Sequence, residues 1–418
     1  MLKRSLLKNN LFLITTIALM FALVLDRKAT TYFIGFWFIS AIYEAFQNNE
    51  HPFKQNLKWC IIIASMFVLY TIGYLFSEFS REASAALEIK LSFFIFPLGF
   101  FLRRKPISAK EIKIALLAFQ LACLISALYL AAQLIPAVIK NSNLITTESF
   151  TYAVRTFTEK TLGVHSTYLS IFYLFSIYIE LKGYGLRIIL KNKKIKVVIQ
   201  AFQILTLSVI VLLLVARAPI IAFFVGVIIV EILKNWKRGT LILLSCLAIL
   251  LAAIFFIPGV GNRFEEAINS HEITENESSV NSSNLRRSIL VCSNKLVSEN
   301  WLRGVGLDHI QYSLNSCYDS FNNKELSETG YNTHNQYFDI ILGLGILGLI
   351  MFIIILIYPS QHLIKPQFAL LLFFKLFIAI CLLTENLLNR QHGVVFFVFF
   401  NCLFVSHYLW INKQKKLE

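Results

Sequence analysis

Long apolar stretches follow one another from Leu11 to Trp410, separated by short polar punctuation. A hydrocarbon core of about 30 Å takes about 20 apolar residues per helical crossing. The stretches are continuously apolar rather than alternating at every second position, which predicts a bundle of membrane helices and excludes a transmembrane barrel. Spans are expected at Leu11 to Leu25, Thr31 to Phe46, Trp59 to Phe76, Ala86 to Leu102, Ile112 to Ile135 and Gly163 to Leu181. The second half adds Val197 to Val215, Ala218 to Leu233, Thr240 to Ile257, Tyr337 to Tyr358, Phe368 to Leu383 and Val394 to Ile411. The fold class is therefore all-α: a polytopic membrane helix bundle of about 12 transmembrane helices. The first stretch, with Lys3, Arg4 and Lys8 before it, reads as a retained span and not as a secretory signal, because no small-residue cleavage pattern follows.

Composition agrees, since 418 residues that are 57% hydrophobic and 15% charged cannot give a soluble globule its polar skin. Charge then sets the orientation, because Lys and Arg in short loops favour the cytoplasm. With the N-terminus inside, the inner loops hold Lys54 and Lys58; Arg103, Arg104, Lys105 and Lys110; Lys182, Arg187, Lys191, Lys193, Lys194 and Lys196; and Lys234, Lys237 and Arg238. The tail adds Lys413, Lys415 and Lys416, so both termini are expected in the cytoplasm. Most of the +15 net charge is thus a topology signal facing anionic membrane lipids, and nucleic-acid binding is not expected.

That orientation puts two long polar segments outside, Pro136 to Leu162 and Pro258 to Gln336, and chemistry is expected there, because loops of such length rarely lack a function. Of the seven cysteines, Cys60, Cys123, Cys246, Cys381 and Cys402 fall in spans, where a thiol acts as a small apolar group. Cys292 and Cys317 fall in the second outer segment, in an oxidising compartment, where spacing alone leaves pairing open.

Three stretches of the second outer segment carry concentrated chemistry: Asn284-Leu-Arg-Arg-Ser, then Ser298-Glu-Asn-Trp-Leu-Arg-Gly-Val-Gly-Leu, then Tyr331-Asn-Thr-His-Asn-Gln-Tyr-Phe. Together they resemble the core of the O-antigen ligase family. That pattern has an Arg entering an amphipathic helix, a Gly-x-Gly turn and a His-Asn pair capping the next span. Here these are Arg286, Gly304 and Gly306, and His334 and Asn335, followed by Gly343-Leu-Gly-Ile-Leu-Gly. Ala216-Arg217-Ala218-Pro219 is similar to a second family element, an Arg opening a span at the outer boundary, and His165-Ser-Thr-Tyr168 to a third. The resemblance covers Gly163 to the C-terminus; Leu290 and Trp301 depart from the family's Trp and Pro, and neither removes a charge.

The resemblance implies a GT-C-like bundle with a long periplasmic loop containing short helices, in a bacterial inner membrane. It divides the chain into N-terminal helices (1–136), central helices with the first outer loop (137–257), a periplasmic catalytic loop (258–336) and C-terminal helices (337–418). It implies an inverting, metal-independent glycosyltransferase without a cofactor, moving a glycan from an undecaprenyl-pyrophosphate-linked donor to a lipid A core or other glycan acceptor. A departing pyrophosphate needs cations, and the planar guanidinium of Arg grips phosphate oxygens bidentately without losing its charge. Arg217 and Arg286 are expected in that role, with Arg287 in support; the alternative partner for each is a lipid headgroup or a loop carbonyl.

His334 is the expected general base, since an acceptor hydroxyl sheds a proton as it attacks and imidazole titrates near neutral pH. A capping role competes with that reading, and Thr333 or Asn335 could equally supply the cap. His165, Asn335, Glu385 and Arg390 are expected to bind substrate, Glu385 by orienting an Arg or a hydroxyl, unless it forms a surface ion pair. Lys375, inside an apolar span, either snorkels or faces the bundle interior. His271, Glu272, Glu275 and Glu277 are set aside as metal ligands because their spacing is not that of a His-Glu-x-x-His helix. The same residues suit a polymerase, or a protein-glycosylating relative. A flippase is the competing class, but a transporter would place its charges at mid-membrane.

Overall fold

The computed structural model of the chain describes residues 10–47, 53–78, 80–103, 105–140, 149–185, 192–214, 216–245, 269, 282–321, 324–358 and 368–415. Among them every regular element is helical. Among the described residues ten helices precede the 258–336 segment: α1 (Leu11–Leu25), α2 (Arg27–Gln47), α3 (Phe53–Leu75), α4 (Arg81–Lys90), α5 (Ser92–Leu102), α6 (Ala109–Lys140), α7 (Ser149–Leu162), α8 (Ser166–Leu181), α9 (Lys193–Leu214) and α10 (Arg217–Lys234). That segment holds α11 (Ser282–Asn300), α12 (Ile310–Asp319) and α13 (Lys324–Thr329). Then come α14 (Gln336–Ile357), α15 (Ala369–Cys381), a 3-10 turn (Leu387–Asn389) and α16 (Gln391–Gln414).

Six described helices are long and apolar enough to cross a membrane, or seven if α7 and α8, bent by 81° about Gly163, form one broken span. The protein is a multi-pass membrane protein. Most of the expected span at Thr240 to Ile257 lies outside the described residues, as do Cys246 and the His271 to Glu277 cluster.

Two boundaries differ from the hydropathy reading for a local reason. Asp26 stops α1 and caps α2 by accepting from the backbone N–H of Ala29 (2.8 Å), so the second helix begins at Arg27 and not at Thr31. Ser80 caps α4 in the same way through Ala83 N–H (3.1 Å), which adds an amphipathic turn ahead of Ala86.

The chain divides into two compact units. The first contains residues 1–63, 92–224 and 391–418. Its centre is α16, buried continuously from His392 to Ser406. Phe400 meets Phe119 and Phe175 at ring separations of 5.0 and 5.2 Å, and Phe399 meets Phe100 and Phe96 at 5.3 and 5.5 Å. Each such pair adds about 0.5–1.5 kcal/mol beyond area burial. Arg103, expected in a loop, is instead buried here, paired with Glu44 and Glu111 and stacked on the Phe12 ring.

The second unit contains residues 64–91 and 225–390. Its organising feature is a break in α14. Gly345 leaves helical geometry (φ 69°, ψ −169°), a region open only to glycine. The carbonyl of Leu342 accepts instead from Val305 (2.7 Å) and Gly306 (3.2 Å), and Ile346 N–H donates to Leu302 (3.3 Å). A helix may break inside a membrane only where other protein satisfies the freed backbone groups, and the 302–306 turn does so here. Close approach explains the glycines, since a Cβ on Gly304 would lie 2.4 Å from the Leu342 carbonyl and one on Gly345 would lie 2.3 Å from that of Leu302.

Lys375 faces the interior. Its ammonium donates to the carbonyls of Ile355 (2.8 Å) and Tyr358 (2.9 Å), satisfying the C-terminal end of α14 where the helix dipole favours a cation.

Gly345→Ala should destabilise the protein by about 1–3 kcal/mol from backbone strain alone. Gly35→Ala, at a helical position with nothing within 4 Å, should not destabilise it. Thermal unfolding in detergent micelles checks this, and equal melting temperatures for the two variants would contradict it.

Candidate functional site

Within the second unit the chain turns sharply into α14. Asn335 is the N-cap, its side-chain oxygen accepting from Tyr337 (2.9 Å) and Phe338 (3.2 Å). The cap therefore falls to Asn335 and leaves the imidazole of the preceding residue uncommitted. His334 sits at φ 45°, the one non-glycine residue with positive φ among the described residues. Its backbone N–H donates to the Asn332 side chain (3.0 Å), closing a local turn. Strain of this kind persists only where the surroundings impose it, and it concentrates at functional sites.

The His334 imidazole is half-buried, with Nδ1 3.9 Å from a Glu385 carboxylate oxygen. That is ion-pair range and beyond hydrogen-bond length; among the described residues Nδ1 has no hydrogen-bond partner. The Tyr331 ring lies 6.5 Å away. Burial first, and the Arg286 charge second, hold the imidazole below its ordinary range. It is thus neutral at neutral pH, with a lone pair ready for a proton.

Arg286 lies exposed in the second turn of α11, and Arg287 follows it, also exposed. A disulfide joins Cys292 of α11 to Cys317 of α12, with Cα atoms 5.8 Å apart, so the pairing that spacing left open is formed. Around it Ile289, Leu314, Tyr318 and Leu326 make a small buried core. From α12, the Tyr318 hydroxyl (3.1 Å) and the Gln311 amide (3.2 Å) donate to the carbonyl of Tyr331. The helix bearing Arg286 and the segment bearing His334 are thereby tied to one scaffold.

Beneath His334 lies a buried polar network that hydropathy reading missed. Asp339, in the first turn of α14, accepts from Asn386 (3.0 Å), Asn389 (2.9 Å) and Gln336 (3.2 Å). Gln336 also accepts from the backbone N–H of Leu388 (2.7 Å). Lys90, the last residue of α4, is 2% exposed; it donates to the Leu388 carbonyl and to Asn389 Oδ1 (3.2 Å), and its charge acts on Asp339. Thr333 and Asn386, the neighbours of His334 and Glu385, hydrogen-bond to each other. The signal was present in the sequence: Lys90 and Asp339 are opposite charges in two apolar spans, and ionisable residues in lipid-facing sequence pair with one another.

The structure thus gathers His334, Arg286 and Glu385 in one unit, with Arg390 exposed at the end of the same loop as Glu385. Arg217 and His165 belong to the other unit. Arg217 is the exposed first residue of α10. His165 caps α8 at the α7–α8 bend, its Nδ1 accepting from Thr167 (3.3 Å) and its Nε2 3.4 Å from Glu159. A capping role and substrate contact both remain open to it, through different ring nitrogens.

Compared with known families, residues 202–353 match the model described as O-antigen ligase, a range that takes in Arg217, Arg286, Arg287, His334 and Asn335. No curated protein matches the chain significantly.

Replacing both Cys292 and Cys317 by Ser should cost about 3 kcal/mol, the loop-closure contribution expected for a segment of this length. Melting of the wild type with and without reductant measures it. Reductant should lower the melting temperature of the wild type and leave the double variant unmoved, and a wild type indifferent to reductant would contradict the link.

Proposed function

We propose that this chain, whose residues 202–353 match the O-antigen ligase family, joins a glycan carried on undecaprenyl pyrophosphate to a lipid A core sugar at the periplasmic face of the inner membrane. The family supports an O-antigen ligase or polymerase-type membrane glycosyltransferase. The donor, the acceptor and the side of the membrane are inferred from the loop charges and the chemistry of the site.

The observation that carries the reading is the half-buried His334 imidazole, 3.9 Å from a Glu385 carboxylate oxygen and held below its ordinary range by burial and then by the Arg286 charge. Glu385 faces Nδ1, so the Nδ1–H tautomer is favoured and Nε2 is left as the basic nitrogen. An acceptor hydroxyl oxygen attacks the anomeric carbon while its proton passes to Nε2. The bond from that carbon to the pyrophosphate oxygen breaks, and the electron pair leaves with the pyrophosphate. A single displacement inverts the anomeric centre. Arg286 and Arg217, with Arg287 in support, offset the charge that grows on the leaving group, the part of the transition state most worth stabilising. Arg390, Asn335 and His165 hold the sugar or the phosphates, and no step calls for a metal.

A polymerase would use the same residues, with the end of a second carrier-linked glycan as acceptor. A flippase is disfavoured because the buried charges, Asp339 in the first turn of α14 and Lys90 at the end of α4, are committed to loop groups, with no mid-membrane cavity required to explain them.

His334→Ala should slow transfer by about 10²–10⁴-fold, the usual contribution of a positioned base. Gels of cells carrying His334→Ala or Arg217→Ala should show loss of long-chain surface glycan with accumulation on the carrier. Normal surface glycan in both variants would reject the proposal. In a deletion strain, polymer retained on carrier and absent from core identifies a ligase, and single repeat units on core identify a polymerase.

A further inference from the structure

The 384–390 loop reaches the His334 turn through side chains that carry no expected role in transfer. Thr333 and Asn386 bond to each other directly beside the His334–Glu385 pair. Asn386 in turn donates to Asp339, and so does Asn389 three residues on. Lys90 grips the same stretch from α4 through the Leu388 carbonyl and Asn389 Oδ1, and its stem packs with the ammonium 5.0 Å from the Tyr70 ring. Asp339 and Lys90 are 7% and 2% exposed, so neither charge is relieved by water. Opposite charges buried at this depth are a poor source of stability compared with apolar packing, but they impose one geometry on the groups that satisfy them.

We propose that Lys90 and Asp339 are positioning residues for His334: each bonded to the 384–390 loop, the two buried groups clamp it onto the start of α14 and so set the spacing and burial of the His334–Glu385 pair. The inference deepens the proposed function and rests on the role given there to His334. Its physical content is independent of substrate, because the clamp fixes how deeply the imidazole is buried. The groups that act on that ring are Glu385 from the loop, Arg286 from α11 and the Tyr331 ring from the preceding segment. Releasing the loop withdraws Glu385 and admits water. Loss of the carboxylate lowers the imidazole's proton affinity and hydration raises it, and since burial is the leading influence on this ring, the net change is upward.

The test reads His334 directly in the purified full chain in detergent. Diethyl pyrocarbonate reacts with unprotonated imidazole, and peptide mass spectrometry follows labelling at His334 as a function of pH. In Lys90→Met and Asp339→Asn, labelling should accelerate several-fold, and its midpoint should rise toward that of a free imidazole. Asn389→Leu cuts the clamp without leaving a charge unpaired, and should do the same if the charge variants fail to fold. Lys90→Arg keeps a cation and donors, and should label more like the wild type than Lys90→Met does. Wild-type rate and midpoint in folded Lys90→Met or Asn389→Leu would overturn the proposal, as would Lys90→Arg behaving like Lys90→Met. Labelling involves no glycan, so failure here is separate from failure of the base assignment, which would show as transfer surviving in His334→Ala.

Discussion

A carboxylate buried at the start of a membrane-crossing helix has to be satisfied by the chain itself, and much of the second unit follows from how Asp339 meets that demand. Hydrocarbon offers no donors, and an unsatisfied polar group there costs several kcal/mol. Asp339 takes donors from Gln336 on its own helix and from Asn386 and Asn389 on the loop after α15, with Lys90 supplying the counter-charge. Those contacts bring together the end of α4, the start of α14 and the 384–390 loop. His334 and Glu385 face each other at the edge of that assembly, where their neighbours Thr333 and Asn386 are bonded.

The same constraint, applied to the backbone, explains the glycines. Once α14 breaks at Gly345, its freed carbonyl and amide groups need partners, and the 302–306 turn supplies them by close backbone approach. This fixes the C-terminal end of α11 against α14. The disulfide and the Tyr318 and Gln311 donors then fix α11 and α12 to the segment before His334. An imidazole and a guanidinium borne on separate, connected elements suit the proposed reaction, in which a proton and a pyrophosphate depart in different directions, because geometry held in advance need not be assembled during the displacement.

Much of this was legible in the sequence. The Arg, Gly-x-Gly and His-Asn elements occupy the places that the family resemblance implied: Arg286 early in α11, the glycine turn just past its end, and Asn335 capping α14. Continuous apolar runs located the described apolar helices to within several residues, six or seven of them long and apolar enough to cross a membrane, and a polar cap, Asp26 or Ser80, explains two of the early starts. The Asp339 network was hidden for a different reason. Window hydropathy averages a lone Asp or Lys away, and the partners of Asp339 lie some 50 residues later and, in Lys90, some 250 earlier, separations that no local pattern reports. Arg103 shows the converse: a charge that counts toward loop topology turned out to be buried between Glu44 and Glu111.

The proposed transfer requires His334 to be neutral beside Arg286 so that it can take the acceptor's proton. The direct measurement is the pH dependence of glycan transfer by the protein reconstituted in vesicles, wild type against Arg286→Gln. Transfer should fail on the acid side as His334 protonates, with a midpoint below the ordinary imidazole value. Removing the nearby cation should move that midpoint to higher pH. An acid limb with the same midpoint in both proteins would contradict the claim that this imidazole is the base.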